Sequence, residues 1–247
     1  MLDDRQLEQF SRQLLLDGFG VEQQRKLLDA TVAVVGLGGL GSPVSMYLAA
    51  AGIGRLILID HDQVERSNLP RQVLYGEEAI GVSKANAAGK LLSARCPRCE
   101  IVTISQKLTE QTAVSTLGSA DVIADCTDDY HARYALNHAC IETSTPLVSA
   151  AAVRGEGQLT TFAPSLGGPC YQCLYPTQTE GGALSCSEAG VLGPVVGVLG
   201  TLQALEVIKM LTGWGENLVG SLQLIDLTNL RFHKIAIPVT QDCRACR

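Results

Sequence analysis

The 247-residue sequence has no block of lysine or arginine, and its formal net charge is −6. Nucleic-acid-binding surfaces need clustered positive charge, so the composition argues against nucleic acid as a partner. The first residues are charged and lack the apolar core of a secretory signal peptide. With no sign of secretion, we expect a cytoplasmic protein. Its nine cysteines are then expected to bind metal, react or lie buried, not to form a disulfide framework.

The sequence also lacks a linker, an internal repeat and a low-complexity segment. We therefore expect one continuous domain over 1–247, with N-terminal helices in 1–30 and two halves, 31–152 and 153–247. The most apolar stretch, 189–203, contains Pro194 and four glycines. It is too short for a membrane span and predicts a buried helix near 191–212, so no membrane partner is expected.

Apolar strand patterns alternate with helical ones through the first half of the sequence. This alternation predicts a Rossmann-like α/β fold, a doubly wound and mostly parallel sheet. In the second half, the pattern predicts antiparallel strands that continue it. The predicted helices of the first half are 42–54 and about 83–93. The predicted strands are 31–36, 55–60, 100–105, 121–127, 146–152, 157–163, 221–227 and 232–237.

A glycine-rich turn follows the first predicted strand and opens a helix. Gly36, Gly38 and Gly41 satisfy G-x-G-x-x-G, and Gly39 adds a fourth glycine. Glycines let the backbone approach phosphate, and the helix N-terminus offers unpaired N–H groups to an anion. Asp60 ends the next strand, where a carboxylate can accept hydrogen bonds from ribose hydroxyls. The motif predicts a nucleotide site but does not distinguish NAD, FAD and ATP.

Further charged side chains are predicted at the same edge of the sheet, beyond the strand ends. A dinucleotide pyrophosphate is largely satisfied by a helix N-terminus, whereas extra cations and a Mg²⁺-binding carboxylate suit a triphosphate. The alternative of an NAD-dependent oxidoreductase explains only the glycine turn and Asp60, and no hydride-transfer site is visible. The additional residues are Asp62, Asn68, Arg71 and Lys84, with Asp125, Asp128 and Asp129 after a later strand.

Two C-x-x-C pairs, Cys170 with Cys173 and Cys243 with Cys246, match a tetrahedral Cys₄ zinc site. Four thiolates leave no position for water, so the predicted role is structural. A third pair, Cys96 and Cys99, has no second C-x-x-C pair to complete a set of four ligands. We interpret it as a surface turn between a helix and a strand. Cys126 and Cys140 are predicted to be small buried hydrophobic residues.

Several segments in order resemble the MoeB/ThiF family of sulfur-carrier protein adenylyltransferases, which are related to ubiquitin-activating enzymes. The resemblance covers nearly the whole chain and rests on SRQLLL, VVGLGGLGSP, LIDHDQVERSNLPRQ, GVSKA, DCTDD, PCYQCLYP, AGVLGPVVGVLGTLQALEVIKML and CRAC. It implies that 31–152 binds the nucleotide and that 153–247 binds the carrier and zinc.

The resemblance implies ATP-dependent adenylation of the C-terminal glycine of a ubiquitin-like carrier, which yields an acyl-adenylate and pyrophosphate. A carboxylate nucleophile is ionised at pH 7 and needs no general base, and none of the four histidines lies in a nucleophile–base motif. Arg154 and Glu156 favour a MoaD-type carrier for molybdopterin synthesis. The segment GPVVGVLGTLQALE suits a ThiS-type carrier for thiamine synthesis, which is the alternative. A sulfurtransferase or cysteine desulfurase is a further possible partner.

The resemblance also implies roles for single residues. Gly39 and Asp60 hold the nucleotide, with Asp60 on the ribose, and Asp128 binds Mg²⁺. Arg12 matches an arginine that reaches the phosphates from the other subunit, which implies a homodimer. The residues that would contact the phosphates are Asn68, Arg71 and Lys84.

Two positions stand apart within the resemblance. Cys186 matches a cysteine that can become covalently linked to the carrier in ThiF-type members. Pro70 departs from the family pattern S-N-L-Q-R-Q, and proline removes an N–H donor from the loop. We expect the loop to tolerate Pro70, with Arg71 still reaching phosphate.

Overall fold

A computed structural model describes residues 2–176 and 190–247. Its centre is one eight-stranded sheet with the strand order β3-β2-β1-β4-β5-β6-β7-β8. The strands are β1 (Thr31–Val35), β2 (Arg55–Ile59), β3 (Glu100–Ile104), β4 (Val122–Asp125), β5 (Leu147–Val153), β6 (Glu156–Phe162), β7 (Ser221–Asp226) and β8 (Arg231–Ala236).

Helices cover both faces of the sheet. They are α1 (Asp4–Gln9), α2 (Ser11–Leu14), α3 (Val21–Asp29), α4 (Gly41–Ala51), α5 (Lys84–Arg95), α6 (Glu110–Leu117), α7 (Tyr130–Thr143), α8 (Tyr171–Leu174) and α9 (Gly193–Thr212). Short 3₁₀ turns add Arg66–Asn68, Glu77–Ala79 and Pro164–Leu166.

The predicted sheet is confirmed, because the strands from β3 to β5 pair in parallel and those from β5 to β8 pair antiparallel. The strand order changes direction beside β1, whose neighbours are β2 and β4. In an open α/β sheet, ligands bind beyond the carboxyl ends of the strands at such a switch point. The fold therefore places the glycine-rich turn after β1 at the position where a ligand is expected.

Alternate residues of the strands enter two separate cores, as the period of two in a strand requires. On one face, Val32 and Val34 pack with apolar residues of α4 and α9. On the other face, Ala33 and Val35 pack with apolar residues of α6 and α7. Both faces of the parallel strands are thus buried, which explains why the sequence there shows continuous apolar runs.

The helix predicted near 191–212 is observed as α9, with 20 residues. By length and composition α9 is long and apolar enough to cross a membrane, which the shorter stretch 189–203 did not suggest. Half of the apolar stretch of α9 is buried inside the protein. It packs on β4, β5 and β6 and against α3 and α4, which confirms the predicted burial of this helix in the core.

Two helix boundaries differ from the prediction because of glycine. Helix α4 ends at Ala51, three residues early, since Gly52 has a left-handed φ of 97° and closes the helix. The first thirty residues form three short helices, interrupted by a turn that contains Gly18 with φ 75°. Phe19 anchors this segment by packing edge-on against Trp214.

Candidate functional site

A cavity of about 1020 Å³ lies along the carboxyl ends of the strands. Its lining includes residues that follow β1, β2, β3 and β4, and others from β5 and β6. The volume is at the upper end of the roughly 300–1,000 Å³ typical of sites for small ligands. The cavity therefore has space for a nucleotide and for part of a second molecule.

The glycine-rich turn forms one wall of this cavity. Gly36 has φ 87°, a conformation that favours glycine, and a side chain at Gly41 would collide with the carbonyl oxygen of Gly36. Within residues 2–176 and 190–247, the N–H groups of Gly38 and Gly39 donate no hydrogen bond. Both residues line the cavity beside the beginning of α4. Unpaired N–H groups at a helix N-terminus are the donors that phosphate oxygens accept from.

Asp60 is buried at the end of β2 and faces the same cavity. Its Oδ2 accepts a hydrogen bond from the Leu37 N–H at 2.7 Å, and its Oδ1 accepts one from the Asp62 N–H at 2.9 Å. These bonds fix the carboxylate against the glycine-rich turn. Each carboxylate oxygen can accept more than one bond, so lone pairs remain for ribose hydroxyls.

Lys84 and Asp62 form an ion pair inside the cavity, with Nζ and Oδ2 2.8 Å apart. The Lys84 side chain is 8% exposed, whereas that of Asp62 is 53% exposed. Burial acts to raise the pKa of Asp62, but the hydrogen bond and charge of Lys84, with smaller contributions from His61 and Lys107, lower it overall. An ammonium group this buried interacts strongly with a second anion that enters the cavity.

Asn68 and Arg71 reach the cavity from the loop after β2. Asn68 is buried, and its Oδ1 accepts from the Glu65 N–H at 3.2 Å. Arg71 donates from Nη1 to the Ser67 carbonyl at 2.9 Å, and its other guanidinium donors have no partner among residues 2–176 and 190–247. Pro70 is exposed between them, and its carbonyl packs against Gly193 at the beginning of α9.

The three acidic residues after β4 occupy different environments. Asp125 is fully buried and accepts hydrogen bonds from the Thr127 hydroxyl at 2.7 Å and the Ser149 hydroxyl at 2.6 Å. Asp129 caps α7 by accepting from the His131 N–H. Asp128 lines the cavity and makes no hydrogen bond or ion pair with the residues described. Of these three residues, only Asp128 has a carboxylate without a partner among the described residues, and the Mg²⁺ role that the resemblance implies for it stays a prediction.

Arg133 is a cavity residue that the sequence patterns did not reveal. It lies on α7, and its Nη2 donates to the carbonyls of Thr127 at 2.6 Å and Ala150 at 2.8 Å. Its Nε is 3.8 Å from the Asp125 carboxylate. The guanidinium thus ties the end of β4 to β5. A single arginine inside a helical pattern gives no signal of such a position, because only the packing of α7 on the sheet decides it.

The sequence patterns also did not single out Tyr75 and Lys107. The Tyr75 hydroxyl bridges the carbonyls of Leu37, at 2.9 Å, and Lys84, at 3.3 Å, which joins the glycine-rich turn to the beginning of α5. Burial and the charge of Asp60 raise the pKa of Tyr75, so the hydroxyl stays protonated as a donor. Lys107 follows β3 and pairs with Asp129 across the cavity at 3.3 Å.

The four cysteines of the two C-x-x-C pairs come together at the C-terminus of the chain. Their sulfur atoms all lie within 4.8 Å of one another. Sγ of Cys170 is 3.8 Å from that of Cys173 and 3.6 Å from that of Cys243. Zinc–sulfur bonds of about 2.3 Å in a tetrahedron require sulfur atoms roughly 3.8 Å apart. The cluster therefore fits a closed Cys₄ zinc site, as predicted.

The remaining described cysteines carry no such arrangement. Cys126 and Cys140 are buried, as predicted. Cys96 and Cys99 lie in the turn between α5 and β3, but the prediction of a surface turn was wrong for Cys99, which is 7% exposed. Burial raises the pKa of Cys99 to about 12, with a smaller contribution from Cys96. This thiol is therefore protonated and poorly nucleophilic at neutral pH.

The cavity described above does not test the predicted roles of Arg12 and Cys186. Arg12 is exposed on α2, away from the cavity lining, and its predicted contact from a second subunit stays a prediction. Cys186 lies outside the described residues, so its predicted link to the carrier also stays a prediction.

Comparison with known proteins places these features in a wider context. Residues 10–245 match the profile of the ThiF family. The chain is 44% identical over 247 residues to the Drosophila yakuba protein named adenylyltransferase and sulfurtransferase MOCS3, covering 99% of this chain and 54% of that protein. The chain thus spans about half the length of the MOCS3 relatives it matches.

A second relative has almost the same length. The sulfur carrier protein ThiS adenylyltransferase of Escherichia coli K12 is 42% identical over 245 residues, covering 99% of this chain and 97% of that protein. Among solved structures, E. coli MccB with ATP matches with a TM-score of 0.83 and 26% identity, over 97% of this chain and 74% of that chain. MccB crystallised with MccA-N7isoASN matches with a TM-score of 0.86 and 26% identity, over 96% and 74%.

Proposed function

The chain belongs to the ThiF family, and on this premise we propose that it adenylates the C-terminal carboxylate of a ubiquitin-like sulfur-carrier protein. ATP supplies the AMP group, and pyrophosphate is released. The observation that carries the proposal is one cavity in which unpaired backbone N–H groups, Asp60, two cations and the free carboxylate of Asp128 meet. A triphosphate with Mg²⁺ suits that combination of charges.

The reaction needs positioning and charge stabilisation more than proton transfer. An oxygen of the carrier's terminal carboxylate attacks the α-phosphorus of ATP. The bond from the α-phosphorus to the oxygen that bridges to the β-phosphate breaks, and its electron pair leaves with pyrophosphate. The nucleophile is already ionised at neutral pH, so no general base is required. Holding the two reactants in line supplies much of the rate enhancement.

The cavity residues divide this task among them. The Gly38 and Gly39 N–H groups bind phosphate oxygens, and Asp60 accepts from the ribose. Lys84 and Arg71 neutralise charge that moves onto the leaving pyrophosphate. Asp128 is the residue that would hold Mg²⁺, which supplies further charge neutralisation when it is bound. The Cys₄ cluster would hold zinc in a structural role.

The first candidate carrier is of the MoaD type, which serves molybdopterin synthesis. The MOCS3 relatives, at 44 and 45% identity to proteins of Drosophila yakuba and Sus scrofa, support this choice. A ThiS-type carrier for thiamine synthesis is the second candidate. It is favoured by the E. coli ThiS adenylyltransferase, of which this chain covers 97%, compared with 54% of the MOCS3 proteins.

Further parts of the proposal concern partners. The protein acts as a cytoplasmic homodimer in which Arg12 of one subunit reaches the phosphates bound by the other. A sulfurtransferase or cysteine desulfurase then supplies sulfur to the activated carrier. Cys186 is the candidate thiol for a covalent link to the carrier, and a carrier–enzyme conjugate lost in Cys186→Ser tests that role.

Carrier-dependent ATP–pyrophosphate exchange tests the proposed function. Labelled pyrophosphate enters ATP only if the acyl-adenylate forms reversibly. We expect exchange with a purified MoaD-type carrier, and the parallel assay with a ThiS-type carrier decides between the two. Removing the carrier's terminal glycine should abolish exchange. If neither carrier supports exchange while NADH binds and ATP does not compete, the adenylation proposal is wrong and the oxidoreductase alternative is favoured.

A further inference from the structure

Gln72 lines the cavity beside the residues that would contact the phosphates. It ends the segment SNLPRQ, one residue after Arg71, and it is 3% exposed. The Asn68 carbonyl accepts hydrogen bonds from the N–H groups of both Arg71 and Gln72, each at 3.0 Å. All three of these residues line the cavity. One tight turn therefore brings three polar side chains to the same place.

The three side chains of this turn differ in how their polar ends are used. Asn68 Oδ1 accepts from the Glu65 N–H at 3.2 Å, and Arg71 Nη1 donates to the Ser67 carbonyl at 2.9 Å. The side-chain amide of Gln72 makes no hydrogen bond with any residue that the structure describes. Its Oε1 is buried without a partner. Gln72 thus differs from Asn68 and Arg71, whose side chains are tied to their own loop.

A buried amide without partners destabilises a protein unless something else uses it. Leaving a buried donor or acceptor unpaired costs its desolvation free energy, and the large majority of buried polar side-chain atoms in native structures have a partner. A leucine at position 72 would fill a similar volume without this cost. Because Gln72 borders a cavity, the missing partner can arrive with a ligand.

The position of the amide indicates which part of a ligand it would meet. A Cβ atom added to Gly38 would lie 3.5 Å from Nε2 of Gln72, so this nitrogen lies beside the glycine-rich turn. The N–H groups of Gly38 and Gly39 in that turn also donate no hydrogen bond among the described residues. Three donors without partners are therefore neighbours just before α4. Several donors that converge near a helix N-terminus suit the oxygens of a phosphate group.

We propose that Gln72 is a phosphate-binding residue, which donates from Nε2 to the phosphate group held by the Gly38 and Gly39 N–H groups. The inference rests on the proposed function, since a nucleotide brings that phosphate. Gln72 lowers the stability of the ligand-free protein and contributes to binding only when the nucleotide is present. A hydrogen bond from an amide to an anion is stronger than one between neutral groups, so the contribution to nucleotide affinity is substantial.

Gln72→Leu tests the contribution to binding, because leucine removes both unpaired ends of the amide and keeps a similar shape. Isothermal titration calorimetry should show the Kd for Mg·ATP raised about 10- to 100-fold, as expected for one lost hydrogen bond to a charged group. The Kd for adenosine, which has no phosphate, should change by less than about twofold. Gln72→Glu replaces the donor by a negative charge and should weaken Mg·ATP binding further. Gln111→Leu and Gln111→Glu, on the exposed side of α6, are the matched controls and should change neither Kd.

Unfolding of the ligand-free protein supplies a second readout, which distinguishes binding from structural support. Because the amide has no partner to lose, the denaturant midpoint of Gln72→Leu should equal or exceed that of the wild type. If Gln72 instead supports the glycine-rich turn, the midpoint falls, and adenosine and Mg·ATP are weakened equally. That result overturns the proposal, as does an unchanged Kd for Mg·ATP in Gln72→Leu.

Failure of the proposed function gives a different pattern of results. If the wild type binds Mg·ATP but neither carrier supports pyrophosphate exchange, adenylation is refuted, and the Kd comparison still decides the role of Gln72. A wild-type protein that binds no ATP refutes both. Normal exchange in the wild type, together with unaffected Gln72 variants, refutes only the role of Gln72.

Discussion

The parallel strands β1 to β4 and the strands from β5 onward contribute different chemistry to the same cavity. The parallel part supplies unpaired N–H groups and charges, namely Asp60, Lys84 and Asp128, on loops that follow consecutive strands. The part from β5 onward supplies alanine methyl groups, the rings of Tyr171 and Tyr175 and the Gln158 amide, and the two tyrosines are sequence neighbours of the cysteine cluster. Nucleotide phosphates need charge, whereas an uncharged peptide main chain needs shape and single hydrogen bonds. The two parts therefore suit two different reactants.

The largest expected effect concerns the stability of the second part. Removing one thiol of the proposed zinc site in Cys173→Ser should lower the free energy of unfolding by more than about 4 kcal/mol, because a metal bound only by the folded chain contributes its binding energy to folding. Denaturant unfolding measures the change. Cys96→Ser, outside the cluster, is the control and should lower the free energy of unfolding much less. Equal stability of Cys173→Ser and the wild type would mean that the cluster holds no structural metal.

The next effect concerns catalysis in the parallel part. Lys84→Ala should lower the rate of ATP–pyrophosphate exchange about 100- to 1,000-fold, because a buried cation that stabilises developing charge is lost. Lys90→Ala changes an exposed lysine on the same helix, α5, and should leave the rate unchanged. A Lys84→Ala enzyme with a nearly normal rate would show that Lys84 serves only its ion pair with Asp62.

An intermediate effect is expected where the two parts meet. Gln203 of α9 is fully buried and donates from Nε2 to the carbonyls of Asp125, at 2.7 Å, and Val148, at 3.0 Å. Gln203→Leu should destabilise the protein by about 1–3 kcal/mol, since buried carbonyls lose a partner. Gln111→Leu on the exposed side of α6 is the control in the same unfolding experiment. A cost no larger than that of the control would show that β4 and β5 do not need this link.

The smallest effect is expected at Pro70. The residue is exposed, and the Arg71 N–H still donates to the Asn68 carbonyl at 3.0 Å across it. Pro70→Gln should therefore change the rate of pyrophosphate exchange by less than about twofold. A large gain in rate would show that the proline impairs the phosphate-binding loop.

Local patterns predicted the sheet and the cysteine cluster well. Strand boundaries agree within about two residues because apolar runs and glycine turns are local signals. The spacing of Cys170 with Cys173 and of Cys243 with Cys246 matched the geometry of one metal. Spacing alone did not distinguish the three acids after β4. The resemblance pointed to Asp128, and in the structure Asp125 and Asp129 accept hydrogen bonds from neighbouring residues.

The end of the cavity beside β5 and β6 could not be predicted in the same way. Arg133 and Tyr134 come from α7, and no motif marks them. Tyr175 follows α8 within the segment PCYQCLYP, but that segment does not predict that its side chain lines the cavity. Their position depends on how these elements pack against β5 and β6, which single-residue patterns do not encode. The sequence patterns did not reveal Lys107 and Tyr75 for the same reason. Each contacts residues that are distant in the sequence and that only the fold brings close.

The position of the transferred group tests the central claim most directly. The purified protein is incubated with Mg²⁺, a Gly-Gly-ending carrier and ATP labelled at either the α- or the γ-phosphate. The account predicts that label from the α-phosphate alone becomes attached to the carrier, with one pyrophosphate released for each carrier modified. Transfer of γ-label, or no transfer from ATP in a protein that binds NADH tightly, would contradict it.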